Sequence, residues 1–419
     1  MVSLSDVFGK NADVLSDESF QLLLLTNITP PLGVALISPL LSALTGPFAV
    51  SSAQIGLLIT AFSAPSIVAI PLAGTIADRR GRKPVLIAGL LVFGFAGAAV
   101  ATTTDFRVAL LLRFVQGIGF SGLTPILVTS TGDLFRGSAE ATAQGVRFAT
   151  SGITMMVFPL LAGLLVAIAW QLPFLLYGIS IPLALILYRY LDEPSERDES
   201  TATDDEPGFH ALVSYLDAQA VALLVARAVP NAVYTAFLTY NSLVIVSVLD
   251  GSPGQAGLLV AAASLAHTLS ATQSGRMTAY FDTRFVPLFV ATVGMNVGLA
   301  LVGFAPSFPV VVLGSALVGF GFGTTLSLYR SVITAMSQTL RGGLVSLGSA
   351  LARIGSTITP VVLGIAVTDL SSSVGTVEAI QTVVVVAGVA GGTVGVGCLV
   401  FAGLHHSSSL TDSQSHSQT

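Results

Sequence analysis

The residues with the most evident chemistry form a ten-residue run at positions 74–83, Gly-Thr-Ile-Ala-Asp-Arg-Arg-Gly-Arg-Lys. One acid and four bases stand there between two apolar stretches, at about 52–73 and 84–104. These side chains can form ion pairs and hydrogen bonds, which lipid cannot supply. The run therefore predicts a short charged turn at the membrane face, between two membrane-spanning helices.

This run resembles the signature loop between the second and third helices of the major facilitator superfamily, G-x-x-x-D-R-x-G-R-[KR]. Its defining positions are Gly74, Asp78, Arg79, Gly81, Arg82 and Lys83. The general accumulation of Arg and Lys in cytoplasmic loops is an alternative that would explain the bases. It does not explain the two glycines and the acid at these offsets. We expect the loop to act as a cytoplasmic gate.

A second pattern lies in the fourth apolar stretch, where Arg113, Gln116, Gly117 and Gly119 resemble the family's R-x-x-Q-G-x-G. An arginine inside a span costs about 2.5–3.5 kcal/mol on insertion scales, so we expect Arg113 to face a polar cavity or a protein partner. Snorkelling to the external interface is the alternative. Gln116 lies one helical turn away on the same face, which favours a functional role. We expect the charge of Arg113 to matter more than its shape.

Residues 117–122 also fit the nucleotide-binding pattern G-x-G-x-x-G. No predicted strand precedes them and they lie within an apolar span, so the sequence argues against a nucleotide site. These glycines are expected to permit close helix contact, as are Gly319, Gly321 and Gly323 in the tenth span.

The fifth span contains Pro159 and Gly163, which resemble the G-P-x-x-G-G element of the family's antiporters. Phe158 and Ala162 replace two of its glycines, which weakens the inference to antiport. The proline and the remaining glycine still predict a helix bend.

The two halves of the chain repeat each other at an offset of 201 residues. The matching pairs are Gly74 and Gly275, Lys83 and Arg284, Pro159 and Pro360, and Gly163 and Gly364. They fall at equivalent ends of corresponding spans, as expected for two parallel six-helix repeats. We therefore also expect a bend at Pro360 and Gly364.

The family resemblance implies that the first, fourth, seventh and tenth spans line a central cavity. The polar candidates for the cavity or the substrate, including one on the eleventh span, are Asn27, Arg113, Gln116, Arg227, Asn231, Tyr234 and Arg353. An ordinary interhelical hydrogen bond is the alternative for each asparagine and tyrosine. Asn27 is followed by two prolines, which predicts a bent first span.

Proton coupling has one candidate deep in the membrane. All twenty-two Asp and Glu residues lie in loops, tails or span ends. His267, near the middle of the eighth span, is the only deep side chain that ordinarily titrates near neutral pH. A carboxylate at a helix end, such as Asp133 or Glu140, or the substrate itself could carry the proton instead, and His267 could simply bond across helices.

The composition is that of a membrane protein. Of 419 residues, 53% are hydrophobic and 9% are charged, whereas a soluble domain carries about 25% charged residues. Crossing a bilayer takes about 20 apolar residues. The predicted spans lie at 19–44, 52–76, 84–104, 108–131, 142–168, 172–191, 215–248, 255–277, 285–304, 309–333, 342–368 and 377–403.

The basic residues predict the orientation. With the N-terminus inside, the internal loops and span ends hold thirteen bases, among them Arg147, and the external loops hold Arg107 alone. Both termini are therefore expected in the cytoplasm. The segment before the first span is acidic, unlike a signal peptide, so we expect that span to be retained.

The predicted organisation is a cytoplasmic N-terminal segment (1–18), a six-helix bundle (19–191), an acidic cytoplasmic linker (192–209), a second six-helix bundle (210–404) and a disordered tail (405–419). The fold class is thus an all-α membrane protein, with twelve transmembrane helices in two pseudo-symmetric bundles. The single cysteine, Cys398, excludes an internal disulfide.

The resemblance implies secondary transport of a small solute across the cell membrane by alternating access. The pattern is closest to the drug and metabolite efflux branch, and coupling to protons follows from that resemblance alone. An organic-anion carrier, a uniporter and a non-transporting receptor are the alternatives. No enzyme motif, metal-ligand set, cofactor motif or nucleic-acid partner is predicted, and we expect a functional monomer in the lipid bilayer.

Overall fold

The computed structural model describes residues 9–191, 218–281, 283–336 and 341–415, and these residues are almost entirely helical. A short 3-10 helix, Gly9–Ser16, comes first. The twelve long helical segments that follow in the described residues are α1 (Glu18–Leu44), α2 (Ser52–Arg80), α3 (Arg82–Thr102), α4 (Phe106–Leu134), α5 (Gly137–Leu165), α6 (Leu172–Tyr190), α7 (Ala218–Val248), α8 (Pro253–Phe281), α9 (Phe285–Phe304), α10 (Phe308–Met336), α11 (Arg341–Val374) and α12 (Thr376–Ser415).

Eleven of these segments are long and apolar enough to cross a membrane, as judged over the described residues. The other, α8, has 29 residues, but Ser264, His267, Ser270 and Ser274 lower its hydropathy. The predicted spans match the helices to within a few residues at most ends. The all-α prediction is confirmed.

Prolines divide the first helix. The segment Glu18–Thr26 ends at Asn27, and a new segment, Thr29–Ala35, begins with Pro30 and Pro31 in its first turn. Proline lacks the backbone N–H but tolerates the first turn of a helix, so it starts a new segment rather than continuing the old one. The predicted bend in the first span is therefore observed as a break.

The described helices form two compact units. The first contains α1–α6 together with Asn241–Ala261, which covers the end of α7 and the beginning of α8. The second contains the rest of α7 and α8 with α9–α12. The predicted linker at 192–209 lies outside the described residues.

Equivalent glycine contacts hold the helices together in both units. A Cβ built on Gly117 of α4 would stand 2.0 Å from the carbonyl oxygen of Phe62 in α2. A Cβ on Gly319 of α10 would stand 1.9 Å from the carbonyl oxygen of Ala263 in α8. Gly319 follows Gly117 by 202 residues, and Ala263 follows Phe62 by 201 residues, so these contacts support the internal repeat. They also confirm that these glycines serve close helix packing.

Large apolar side chains cover the outside of the helices. More than half of the surface of each of Phe95, Leu111, Leu164, Ile365 and Val389 is exposed. A protein with such an apolar surface would aggregate in water, whereas in a bilayer this surface contacts lipid chains.

The C-terminal tail differs from the prediction. Disorder was expected from His405 onward, but α12 continues to Ser415. No glycine or proline occurs between 405 and 415, so the sequence there lacks the usual residues that end a helix.

Candidate functional site

The charged loop is shaped by one glycine. Gly81 ends α2 and precedes α3 with φ 91° and ψ 161°, a conformation that is essentially restricted to glycine. Gly74 differs, because a Cβ built there would meet nothing within 4 Å. In this structure, then, the loop requires glycine at position 81 but no close contact requires it at position 74.

The charges of the loop fall into a packed group and an exposed group. The Arg82 guanidinium forms an ion pair with Asp133 at the end of α4, and only 10% of the Arg82 side chain is accessible. The Nζ atom of Lys83 lies 6.0 Å from the centre of the Tyr188 ring. Asp78, Arg79 and Arg80 are exposed. The end of the loop thus ties α3 to α4, and the gating role of the loop stays a prediction.

Replacing Asp133 by asparagine is expected to lower the free energy of unfolding by about 1–3 kcal/mol, between the values for exposed and buried ion pairs. The reason is that the mostly buried Arg82 would lose the ion pair with Asp133. Equilibrium unfolding in mixed micelles measures this change. The control is Arg80→Gln, an exposed base of the same loop, which we expect to change stability by less than about 0.5 kcal/mol. Equal losses in the two variants would contradict the assigned role of the pair.

Arg113 lies at the centre of a buried polar cluster in the first unit, and its side chain is 0% exposed. Its Nε donates to the Leu58 carbonyl oxygen at 3.3 Å, and its Nη2 donates to the Gly33 carbonyl oxygen at 2.7 Å. Its Nη1 donates to Gln116 Oε1 at 2.6 Å and to the Tyr177 hydroxyl at 3.2 Å. One guanidinium thereby joins α1, α2, α4 and α6.

This geometry bears on two interpretations of Arg113, the snorkelling alternative and the expectation that its charge matters more than its shape. Snorkelling to the interface is excluded by the complete burial of the side chain. The guanidinium also meets four acceptors in different directions, with its carbon 4.5 Å from the centre of the Phe62 ring, so its shape matters as well as its charge. Gly33 can accept because it lies in the last turn of its short helical segment, where carbonyl groups lack intrahelical partners.

Asn27 and Arg147 form a second polar cluster in the first unit. Arg147 Nη1 donates to Asn27 Oδ1 at 3.2 Å, and Arg147 Nε donates to Gln144 Oε1 at 2.9 Å. Asn27 Nδ2 donates to the backbone oxygen of Arg147 and to Ser151 Oγ, both at 2.7 Å. Gln144 in turn donates to the Val128 carbonyl oxygen in α4 at 3.0 Å. The cluster joins the break in α1 to α5 and α4.

The sequence did not predict this role of Arg147. Arg147 was grouped with the cytoplasmic bases, since it lies close to the predicted start of the fifth span. In the structure α5 begins at Gly137, so Arg147 lies ~15 Å along the helix axis from its first residue. The spacing of Gln144, Arg147 and Ser151 on one helical face could have indicated it.

In the second unit, Tyr234 and His267 both contact Phe322. The rings of Tyr234 and Phe322 stack with centroids 4.2 Å apart and an interplanar angle of 2°. The His267 ring centroid is 5.2 Å from that of Phe322. The sequence did not predict a role for Phe322, because this apolar residue has no polar group that marks it. Together these three side chains form an aromatic group from α7, α8 and α10.

The other candidates in the second unit are placed as follows. Arg227 on α7 and Arg353 on α11 are half-buried, and the Cγ atom of Arg227 lies 3.7 Å from a Cβ built on Gly348 of α11. Asn231 is half-buried, and its Nδ2 has no hydrogen-bond partner among the described residues. These positions are compatible with the predicted cavity role, which stays a prediction.

The predicted bend residues lie inside continuous helices. Pro159 is within α5 and Pro360 within α11, and Gly364 of α11 is buried. A Cβ built on Gly163 would stand 2.5 Å from the Pro253 carbonyl oxygen. Gly163 therefore permits close approach of the beginning of α8 to α5 within the first unit.

The end of α7 contributes further polar contacts to the first unit that the sequence did not predict. Asn241 Nδ2 donates to Ser38 Oγ at 2.6 Å, and the Ser42 N–H donates to Ser242 Oγ at 2.9 Å.

Within the described residues no group of three or more His, Cys, Asp or Glu side chains could hold a metal ion.

Comparison with solved structures shows the same fold. A bacterial homolog of the human lysosomal transporter Spinster superimposes with a TM-score of 0.74 at 19% identity, covering 92% of this chain and 96% of that one. The nucleoside transporter NupG superimposes with a TM-score of 0.73 at 13% identity, covering 91% and 98%.

Sequence comparison finds transporters as well. The bacillibactin exporter of Bacillus subtilis is 35% identical over 150 residues, which span 34% of this chain and 37% of that protein. The quinolone resistance protein NorA of Staphylococcus aureus is 23% identical over 344 residues, covering 80% and 86%. The family and these relatives are transporters rather than enzymes. A family model described as Major Facilitator Superfamily matches residues 23–249, and the chain, a multi-pass membrane protein, belongs to that superfamily.

Proposed function

We propose that this chain is a secondary transporter of the plasma membrane, which exports a drug-like compound or a metabolite by alternating access. Membership of the superfamily supports transport, and the name of the bacillibactin exporter supports export. The structural observation that carries the proposal is the cluster of Asn27, Arg147 and Ser151 inside the membrane-spanning α1 and α5. Ionisable groups are costly to place within a membrane, and where they occur they mark substrate or ion pathways.

We further propose coupling to protons through His267, in a monomer with both termini in the cytoplasm. His267 is 6% exposed and lies beside the aromatic ring of Phe322 in the second unit. The acidic residues that the structure describes lie at helix ends or in loops. One of the alternative carboxylates, Asp133, is engaged by Arg82, which favours His267 over Asp133.

The purified protein in proteoliposomes tests both proposals. We expect an imposed pH gradient to drive accumulation of at least one solute from a panel of drug-like and siderophore-like compounds. His267→Gln is expected to lose accumulation while keeping energy-independent exchange. Protein-free liposomes give the background. A folded protein that moves none of the solutes would refute transport, and a His267→Gln variant with normal accumulation would refute coupling at this residue.

An organic-anion carrier is the second candidate function. The first unit places two guanidinium groups, those of Arg113 and Arg147, within membrane-spanning helices. Positive charge at this depth would attract an anionic solute. In the same liposomes, an anionic and a cationic solute built on one ring system distinguish the candidates. Preferred flux of the anion would favour this function, and preferred flux of the cation would refute it.

A further inference from the structure

We propose that a lateral crevice in the second unit binds the end of an acyl chain of a membrane lipid. The lateral crevice is formed by residues 229–236 of α7, 355–363 of α11 and 387–394 of α12. Its volume is about 380 Å³, within the range of about 300–1,000 Å³ that is typical of small-molecule sites. The proposal goes beyond the transport function and does not depend on which solute is moved.

The lining of the crevice can make apolar contacts but no further hydrogen bonds from its side chains. The described residues that line it are Gly, Ala, Val, Ile and Leu, with Thr359 as the exception. The Thr359 hydroxyl donates to the Gly355 carbonyl oxygen at 2.7 Å, so its hydrogen is already used. A polar or charged ligand would lose its hydrogen bonds to water here, whereas a hydrocarbon chain would gain dispersion contacts.

The crevice opens towards lipid and has a buried floor. At its rim, Ile358 and Val362 of α11 are 49% and 53% exposed, and Val394 of α12 is 47% exposed. At its floor, Val233 and Ala236 of α7 are 4% and 1% exposed. Large apolar residues exposed in the middle of a membrane-spanning helix contact lipid chains. A chain can therefore enter between α11 and α12 from the bilayer and reach α7.

The crevice exists because α11 does not pack closely on α7 at this level. A Cβ built on Gly355 of α11 would have its nearest neighbour, the Ala228 carbonyl oxygen, at 3.6 Å. A Cβ built on Gly391 of α12 would stand only 2.9 Å from Val233 Cγ2. Thus α12 touches α7 while α11 leaves room beside it. An empty apolar gap forfeits packing contacts, and an acyl chain in the crevice would restore them.

The depth of the crevice selects an acyl chain over a lipid headgroup. Gly355 comes twelve residues after Gly343, where the apolar part of α11 begins, and Gly391 comes fifteen residues after Thr376, the start of α12. At a rise of 1.5 Å per residue these positions lie ~18 Å and ~22 Å along their helices. The hydrocarbon core is about 30 Å thick, so the crevice lies near the middle of the bilayer, where acyl chains end.

A small apolar molecule dissolved in the bilayer is the competing occupant. It would find the same apolar lining, but it has no headgroup held at the membrane surface. A probe that is part of a lipid and a free apolar probe therefore distinguish the two occupants.

The experiment is photolabelling of the full-length protein in proteoliposomes, followed by mapping of the labelled residues by mass spectrometry. One probe is a phosphatidylcholine with a diazirine at the end of one acyl chain, and the other is free adamantyl diazirine. We expect the lipid probe to label Val233 and Ala236 at the floor, in addition to Leu164, a reference residue that is 62% exposed on the first unit. Gly355→Leu is expected to lower labelling of the floor about fivefold or more, because the added side chain fills the crevice. Labelling of Leu164 should not change.

The matched control is Gly397→Leu. Gly397 lies on α12 outside the crevice, is exposed, and a Cβ built there meets nothing within 4 Å. We expect its floor labelling to equal that of wild type. Size-exclusion chromatography reports on folding. If Gly355→Leu misfolds, Ala390→Leu replaces it, because Ala390 lines the crevice from α12 and is exposed, and we expect it to lower floor labelling in the same direction.

Three results would overturn the acyl-chain site. The first is a floor that the lipid probe leaves unlabelled while it labels Leu164. The second is floor labelling that stays at the wild-type level in a folded Gly355→Leu or Ala390→Leu variant, since the chain would then reach α7 by another route. The third is a floor labelled by adamantyl diazirine and not by the lipid probe, which would assign the crevice to small apolar molecules.

Discussion

Replacing Arg113 by lysine is expected to abolish transport and to lower the free energy of unfolding by about 2–4 kcal/mol. The guanidinium makes four hydrogen bonds from three nitrogen atoms, whereas a lysine ammonium has three N–H donors on a single atom, so charge-assisted hydrogen bonds are lost. The acceptors left behind, the carbonyl oxygens of Leu58 and Gly33 among them, are buried inside the first unit. Equilibrium unfolding in mixed micelles and flux in proteoliposomes measure the two effects.

The control for this prediction is Arg107→Lys on the same helix, where the arginine is exposed. We expect that variant to behave as wild type in both assays. If the Arg113→Lys variant has the unfolding free energy and the transport rate of wild type, a positive charge alone satisfies the site. The planar geometry of the guanidinium would then be unimportant.

Replacing Gly117 by alanine is expected to lower the free energy of unfolding by about 2–3 kcal/mol, because it forces two helices apart. The added Cβ would stand 2.0 Å from the backbone oxygen of Phe62, and a backbone atom cannot move aside as a flexible side chain can. Overpacking of this kind typically costs about 1–3 kcal/mol. The equivalent change in the second unit, Gly319→Ala beside Ala263, is expected to cause a similar loss, since the built Cβ stands 1.9 Å from the Ala263 carbonyl oxygen.

Gly145→Ala is the matched control for the glycine variants. Gly145 is also inside a membrane-spanning helix, but a Cβ built there meets nothing within 4 Å. Alanine is favoured over glycine in a helix by about 0.5–1 kcal/mol, so this variant should be as stable as wild type or more stable. Similar losses in Gly117→Ala and Gly145→Ala would contradict the packing argument.

The helices were largely predictable, because long apolar runs and the turn residues between them are local properties of the sequence. The break in α1 was predictable for the same reason, since Pro30 and Pro31 act on their own backbone. The internal repeat was also predictable, because it appears in the sequence as matching residues at a constant offset. In the structure, Gly117 and Gly319 make equivalent contacts.

Side-chain assignments that depend on distant residues were less predictable. Arg147 was counted as a cytoplasmic base because charge alone does not distinguish a loop end from the third turn of a long helix. Its contact with Asn27 joins residues 120 positions apart. Tyr177 and Phe322 were missed because an aromatic residue in an apolar span has no local feature that marks it as the neighbour of an arginine or a histidine.

The grouping of Asn241–Ala261 with the first unit has a consequence for how the protein is made. Ser38 and Ser42 form hydrogen bonds with Asn241 and Ser242, which the ribosome adds only after α1–α6 are complete. At about 5–20 residues per second, the delay between the end of α6 and Ala261 is on the order of several seconds. During that time the first helices are in the membrane, but their hydrogen bonds to Asn241 and Ser242 cannot yet form. Assembly of the first unit therefore cannot finish before the second half of the chain has begun to insert.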